Sequence, residues 1–271
     1  MKVAAIQMVS SVEREANLAR AQALLAEAAA GGAELAVLPE YFCVMGRRDT
    51  DKLALREQPG QGPVQDFLAS AAREFGLWIV GGTLPLESPE DEHVFNTSMA
   101  FSPAGECVAR YDKIHLFFYD NGTEHYDERR VITPGTRPAL FELPSRDGHL
   151  WRIGMTVCYD LRFPELYRAL AAQGAELLLV PSAFTHTTGA AHWETLLRAR
   201  AIENLAFVLA PAQGGKHENG RRTWGQSMAV DPWGTVVAQQ ATGEGVVLCE
   251  IDAAQITNAR RQLPALSHRI L

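Results

Sequence analysis

Cys158 ends the apolar run of MTVCYDLRFPEL, Met155 to Leu166, where charged residues lead at once into a helix-like pattern. A thiol placed there is either a small buried hydrophobe or a nucleophile held where a strand meets a helix. Composition alone favours the first, since free cysteine is among the most buried residue types. Glu40 ends a second apolar run, LAVLPE, and Ser182 a third, LLLVPS. Polar groups at strand ends are where α/β sheets place their sites. The stretch YDKIHLFFYDNGTEHYDERRVITPG, Tyr111 to Gly135, adds Lys113, Glu124, Asp127 and Glu128; it is long and polar for a connector, which points to a functional loop. Taken singly, each has a plainer role: Glu40 a helix cap after Pro39, Lys113 an exposed loop charge, Glu128 one of the solvated charges of DERR.

The elements that must position these residues follow from hydrophobic period. Val3 to Gln7 reads as a buried strand, and Ser10 with Glu13 as a capping box for an Ala/Leu-rich helix ending near Gly31-Gly32. Glu34 to Leu38 is strand, Pro63 to about Phe75 helix, and Leu77 to Leu84 strand. Val94 to Ala109 gives two strands around the turn SPAG. The order returns after Leu150: strand to Val157, helix Phe163 to Gln173, strand Glu176 to Pro181, helix Ala190 to Asn204, strand Ala206 to Ala210, and paired strands from Ser227 to Gln239.

This is an internal repeat, visible letter by letter. GAELAVLPE at Gly32 to Glu40 is echoed by GAELLLVPS at Gly174 to Ser182, and TSMAFSPAGECVA at Thr97 to Ala109 by QSMAVDPWGTVVA at Gln226 to Ala238. Each half has apolar strands and amphipathic helices, so both are buried most simply by packing two sheets face to face with helices outside. The expected fold is an α/β four-layer α-β-β-α sandwich with an internal two-fold repeat, residues 1–271 forming a single domain. An approximate two-fold axis would bring corresponding strand ends together, making Glu40 and Cys158 neighbours.

With 271 residues, 47% of them hydrophobic, and a net charge of −7, the chain has the composition of a globular enzyme. Its basic residues are scattered, which argues against nucleic acid or an anionic membrane as partner and leaves small molecules. No apolar run approaches ~20 residues and no signal-peptide cleavage pattern follows Lys2, so a cytoplasmic location is expected. The four cysteines Cys43, Cys107, Cys158 and Cys249 lack a CxxC spacing, as suits reduced thiols. HExxH, Walker A and GxGxxG patterns are absent, and the GG pairs at Gly31, Gly81 and Gly214 read as caps or turns. His115, His186 and His192 have no spacing that selects one as a Cys-His base. On the helix Ala190 to Asn204, Trp193, Leu196, Leu197 and Ala201 have core spacing, with Arg198 and Arg200 as surface charges or ion-pair partners.

Glu40 in LPE, Lys113 in YDKIHLF and Cys158 in CYDLRFPEL together resemble the Glu-Lys-Cys triad of the nitrilase superfamily of carbon–nitrogen hydrolases. The likeness covers nearly the whole chain. Through PSAFTHTTGAAHWETLLRARAIEN and GQSMAVDPWG it is closest to the Nit branch of amidases, which includes deaminated glutathione amidase and omega-amidase. The resemblance implies the same sandwich fold, no metal or organic cofactor, and a homodimer or higher homo-oligomer. It implies Cys158 as nucleophile, Glu40 as the proton shuttle, Lys113 as the positive charge facing the carbonyl oxygen, and Glu128 as the glutamate that orients Lys113. Amide hydrolysis by a thiol needs these groups. The Tyr159 N–H is the expected second oxyanion donor.

By the same likeness Tyr159, Arg162, Phe184 and Thr185 border the substrate. Arg162 suits a carboxylate-bearing amide, with an internal ion pair to Glu165 or Asp160 as its alternative. The expected reaction is cleavage of a small carboxylate-bearing amide through a thioester on Cys158, with release of ammonia. The expected substrate is deaminated glutathione. The alternatives are 2-oxo acid amides, N-carbamoyl amino acids, or a non-catalytic binding protein on this scaffold. YFCVMGRRDTDK after Glu40 and FFYDNGTEHYDE before Arg129 depart from the Nit pattern, and both border the expected mouth. Cys43, Cys107 and Cys249 are expected to be packing residues.

Overall fold

The computed structural model describes residues 1–270. In the first half, strands β1 (Lys2–Gln7), β2 (Leu35–Val37) and β3 (Trp78–Val80) alternate with helices α1 (Arg14–Ala30), α2 (Asp51–Ala54) and α3 (Pro63–Phe75). Strands β4 (Leu84–Glu87), β5 (Val94–Phe101) and β6 (Cys107–Asp112) follow, and then a small hairpin of β7 (Phe118–Asp120) and β8 (His125–Asp127). The second half runs β9 (Ala139–Pro144), β10 (Leu150–Met155), α4 (Pro164–Ala172), β11 (Leu177–Leu179), α5 (His186–Asn204), β12 (Phe207–Ala210), β13 (Ser227–Val230) and β14 (Val236–Gln240). Strand β15 (Gly245–Glu250) and helix α6 (Ala253–Gln262) come last.

The repeat is visible in the pairing. One sheet has the order β15-β1-β2-β3-β5-β4 with β6 also on β5, and the other β14-β13-β12-β11-β10-β9. In both, three parallel strands are flanked by antiparallel ones. β15 lies against β1 as β9 lies against β10, so the chain's last strand completes the first sheet.

Side-chain alternation along each strand then makes the layers. Val3, Ala5, Leu35 and Val37 pack in one cluster with Trp151, Ile153 and Met155 of the opposite sheet. Their neighbours Ala4, Ile6, Ala36 and Leu38 pack outward with Leu24, Leu25 and Ala71 of α1 and α3. The α-β-β-α sandwich expected from the repeat is the fold observed.

Several boundaries differ from those read in the sequence, each for a local reason. The capping box is not formed: Glu13 precedes α1 without a side-chain cap, while Ser10 Oγ donates to Phe42 O at 2.9 Å. The turn before α1 is closed by Asn17, whose Oδ1 accepts from Ser11 N–H at 2.8 Å. Strand β3 stops at Val80 because Gly82 adopts φ +43°, and a Cβ there would stand 2.0 Å from Pro39 O. That close approach lets the segment run beside the strand end carrying Glu40. Helix α5 begins a turn before Ala190, capped by Thr185, whose Oγ1 accepts from Thr188 N–H at 3.3 Å. Gly189 breaks the apolar period there because Trp224 occupies the place of its Cβ, 2.3 Å away. Strands β4, β7, β8, β9 and β15 and helices α2 and α6 add to the expected elements; β9 and β15 lie at sheet edges, where half-exposed residues leave a weak period.

Candidate active site

β10 leads straight into a 3-10 turn, Cys158–Arg162, that begins with the thiol. Cys158 has φ +49°, a conformation that costs a side-chain-bearing residue energy and persists only where the surroundings impose it. Those surroundings are identifiable. Cys158 N–H donates to Pro181 O at 3.0 Å, and Asp160 N–H to Val157 O at 3.0 Å. Asp160, wholly buried, accepts at Oδ2 from Val157 N–H (2.8 Å) and the Tyr111 hydroxyl (2.7 Å). Its Oδ1 accepts from His115 N–H at 3.1 Å and lies 2.7 Å from His115 Nδ1. From the helix layer, Arg200 donates Nε and Nη2 to Leu161 O at 3.0 and 2.7 Å. Arg200 is therefore an interior anchor of the turn, while Arg198 lies toward the surface on Gly234 O.

The three charged residues converge behind this turn. Glu40, 1% exposed, follows β2, accepts at Oε1 from Lys113 Nζ (2.9 Å) and Asn96 Nδ2 (3.0 Å), and at Oε2 from Ala183 N–H (2.9 Å). Ala183 follows Ser182 at the strand end that mirrors Glu40, so the halves meet here. Lys113 follows β6 and is 1% exposed, which excludes an exposed loop charge. Its Nζ also lies 3.0 and 2.8 Å from the two oxygens of Glu128. Glu128 in turn accepts from the Tyr41 hydroxyl and from Phe117 N–H, each at 2.7 Å.

Charge coupling sets the protonation states. Burial pulls the Lys113 ammonium toward neutrality, but the flanking Glu128 and Glu40 carboxylates overcome it and hold the lysine protonated well above its ordinary range. Burial also opposes the Glu128 charge, yet Lys113 and the hydrogen bonds it receives leave that carboxyl below the usual carboxylate range. The Cys158 thiol is pushed well up, first by burial, then by the Glu40 carboxylate, against a smaller downward pull from Lys113. The Cys158 thiol thus lies near a lysine held between Glu40 and Glu128.

Tyr159, Arg162, Phe184 and Thr185 all line one small cavity with Cys158 and Phe117. Arg162 is not paired with Glu165 or Asp160: its Nη1 lies 3.3 Å from His192 Nδ1, and its guanidinium stands over the Tyr159 and Phe184 rings. Of the other connector acids, Glu124 accepts from the Thr187 hydroxyl at 2.8 Å and Asp127 pairs with Arg129. Cys43 and Cys249 are buried, the Cys43 thiol pushed up to about 12 by burial. Cys107 departs from its expected packing role: it is exposed on β6, whose first residues face solvent. His115 likewise has the partner the sequence did not reveal, Asp160, and stacks on Phe163 with ring centroids 3.7 Å apart.

Sequence reasoning missed Tyr41, Asn96, Tyr111 and Asp160. One signal was available: Asn96 interrupts the strand run VFNTSMAF, where a buried amide is disfavoured unless it has a partner. No group of metal-ligating side chains that could hold an ion occurs among the described residues, and none of their helices is long and apolar enough to cross a membrane.

Two sheets packed face to face, whose strand ends gather a thiol and a buried lysine between two glutamates, make the doubled sandwich of a hydrolase. The chain belongs to the carbon–nitrogen hydrolase family, whose profile matches residues 2–261. It is 40% identical to a deaminated glutathione amidase of Yersinia enterocolitica, over 98% of this chain and 92% of that one. Among solved structures it is similar to the C. elegans NitFhit protein, with TM-score 0.90 and 36% identity. That match covers 99% of this chain and 65% of the longer one. It is also similar, at TM-score 0.77 and 27% identity over 97% of this chain and 98% of the other, to an amidase from Nesterenkonia sp. AN1. That structure is of a glutamate-to-glutamine mutant in which acrylamide has added to the active-site cysteine.

Proposed function

We propose that the protein is an amidase in which Cys158, Glu40, Lys113 and Glu128 perform the chemistry and Tyr159, Arg162, Phe184 and Thr185 shape the substrate site. The observation that carries this reading is the position of Lys113 Nζ, 2.9 Å from Glu40 and 2.8 Å from Glu128, buried behind the turn that begins with Cys158.

Sγ bonds to the amide carbon as its proton passes to Glu40. The carbonyl oxygen becomes an anion facing Lys113 Nζ and the Tyr159 N–H, the neighbouring Cys158 and Asp160 N–H groups being engaged with Pro181 O and Val157 O. Glu40 then protonates the nitrogen, the C–N bond breaks, and a thioester remains on Cys158. Water, giving its proton to Glu40, adds to the thioester; collapse returns the proton to sulfur and frees the acid. Glu128 fixes Lys113 opposite Glu40 throughout.

The substrate we propose is deaminated glutathione, supported by the similarity to the Yersinia amidase and by Arg162 at the cavity, which pairs with His192 rather than with a carboxylate. Both amides of that compound are substituted, so cleavage of its omega-amide releases cysteinylglycine; ammonia would be released only from a primary amide. We further infer that residues 1–271 are one domain, supported by the core shared between the sheets, and that the chain forms a homodimer or higher homo-oligomer. A cytoplasmic setting is supported by four unpaired cysteines. Steady-state kcat/KM on deaminated glutathione, 2-oxoglutaramate and an N-carbamoyl amino acid tests the substrate. Deaminated glutathione should be preferred; preference for either of the others by roughly an order of magnitude overturns the substrate while leaving the Cys158 chemistry standing.

A further inference from the structure

Two guanidinium groups cap the ends of one aromatic row beside the Cys158 cavity. Arg162 Cζ stands 5.7 Å from the centre of the Tyr159 ring, and Tyr159 meets Phe117 edge-on at 5.2 Å. Phe117 lies 5.7 Å from Tyr126 across the β7–β8 hairpin, and Arg221 Cζ stands 5.2 Å from the centre of the Tyr126 ring. The row is continuous with the cavity, since Phe117, Tyr159 and Arg162 line it. Among the described residues, no carboxylate forms an ion pair with either arginine. The acids of this region are already engaged: Glu128 by Lys113, Glu124 by Thr187 and Asp49 by Lys52.

Arg221 is also held in place. Its N–H donates to Asn219 Oδ1 at 2.9 Å and its carbonyl accepts from His217 N–H at 2.8 Å. Asn219 Nδ2 is tied to Gly46 O at 2.7 Å, and the buried His217 ring bridges Ser10 O and the Thr223 hydroxyl. One donor of the Arg221 side chain goes to the Tyr126 hydroxyl, and an arginine fixed through its backbone and laid on an aromatic face turns the rest of its fork toward a planar anion.

We propose that Arg221 is a specificity residue that receives a carboxylate at the leaving-amine end of the substrate, while Arg162 serves the acyl end. This rests on the amidase reading above. Arg162 belongs to the turn that begins at Cys158, so it reaches the acyl group held at the sulfur. Arg221 stands at the far end of the aromatic row, where only an amide with an extended leaving group arrives. A primary amide, whose leaving group is ammonia, has nothing to place there. A leaving dipeptide ending in a free carboxylate does, and its path runs along Phe117 and Tyr126.

The test compares substrates that share one acyl group: deaminated glutathione and the same compound with its terminal carboxylate converted to carboxamide. In the wild-type protein kcat/KM should favour the carboxylate. In Arg221→Ala that ratio should fall roughly tenfold or more, chiefly through KM, and in Arg221→Lys it should be partly restored. An unchanged ratio in a folded Arg221→Ala protein overturns the assignment while leaving the amidase reading intact. A wild-type protein that hydrolyses neither compound overturns the substrate reading, and the Arg221 assignment with it.

Discussion

The Tyr111 hydroxyl lies 2.7 Å from Asp160 Oδ2, joining the strand that leads into Lys113 to the turn that begins with Cys158. Lys113 and Cys158, the proposed oxyanion-facing charge and nucleophile, come from different sheets, and this buried bond ties their carriers together. Tyr111→Phe leaves the Asp160 carboxylate one donor short in a site without water access. It should cost ~1–3 kcal/mol of stability. If the bond also sets the distance between Lys113 and Cys158, kcat should fall several-fold while KM changes little, read from urea unfolding and steady-state rates. Unaltered kcat would confine Tyr111 to a structural role.

Cys158→Ala should fold and show no turnover, and Cys158→Ser should be nearly inactive because a hydroxyl is the weaker nucleophile. Labelling must allow for Cys107, which is exposed and should react with iodoacetamide before the buried, neutral Cys158 thiol. In a Cys107→Ser background, loss of activity should track alkylation of Cys158 as located by mass spectrometry. Activity surviving full Cys158 alkylation would remove it as the nucleophile.

The meeting of Glu40 and Cys158 was legible because the chain is doubled, while Lys113, Glu128 and the roles of all four were legible only through the resemblance to the nitrilase superfamily. GAELAVLPE and GAELLLVPS align Glu40 with Ser182, and a repeat that must bury two sheets implies their face-to-face packing before any coordinate is known. What escaped was the polar support. Tyr41 reaches Glu128 because its backbone turns to φ +57°, which no residue pattern announces. Asp160 gathers its donors from β6, the following loop and its own turn, a convergence set by tertiary packing rather than period. Gly189 hid the start of α5 because its smallness answers to Trp224, a residue distant in sequence.

Glu128 should govern acid stability. Burial opposes its charge, but the Lys113 ammonium and the Tyr41 and Phe117 donors outweigh burial and depress its pKa. A carboxyl lowered on folding contributes stability that is present above its unfolded value, about 4.3, and lost as pH falls through the folded one. Glu128→Gln should therefore be less stable at neutral pH by roughly 3–5 kcal/mol, since it breaks a buried ion pair. Its unfolding free energy should also vary less steeply than wild type below about pH 4.3. Urea titrations at stepped pH measure both, and parallel acid slopes would show that Glu128 does not carry the effect.

Glu40→Gln separates nucleophile reactivity from catalysis. The Cys158 thiol is raised first by burial and next by the Glu40 carboxylate, while Lys113 pulls it down. Replacing the carboxylate by a neutral amide removes the second upward influence and leaves Lys113, still held by Glu128, acting on the sulfur. The thiol pKa should fall. At a fixed pH near 8, alkylation of Cys158 in the Cys107→Ser background should then be faster in Glu40→Gln than in the parent, because the thiolate is the reacting form. Amide turnover should move the opposite way, dropping ~10²-fold or more, since no group remains to protonate the leaving nitrogen or to activate water. A general loss of site structure would slow turnover without a reason to quicken alkylation. Slower alkylation together with slower turnover would mean that Glu40 assists the thiol itself more than it shuttles protons.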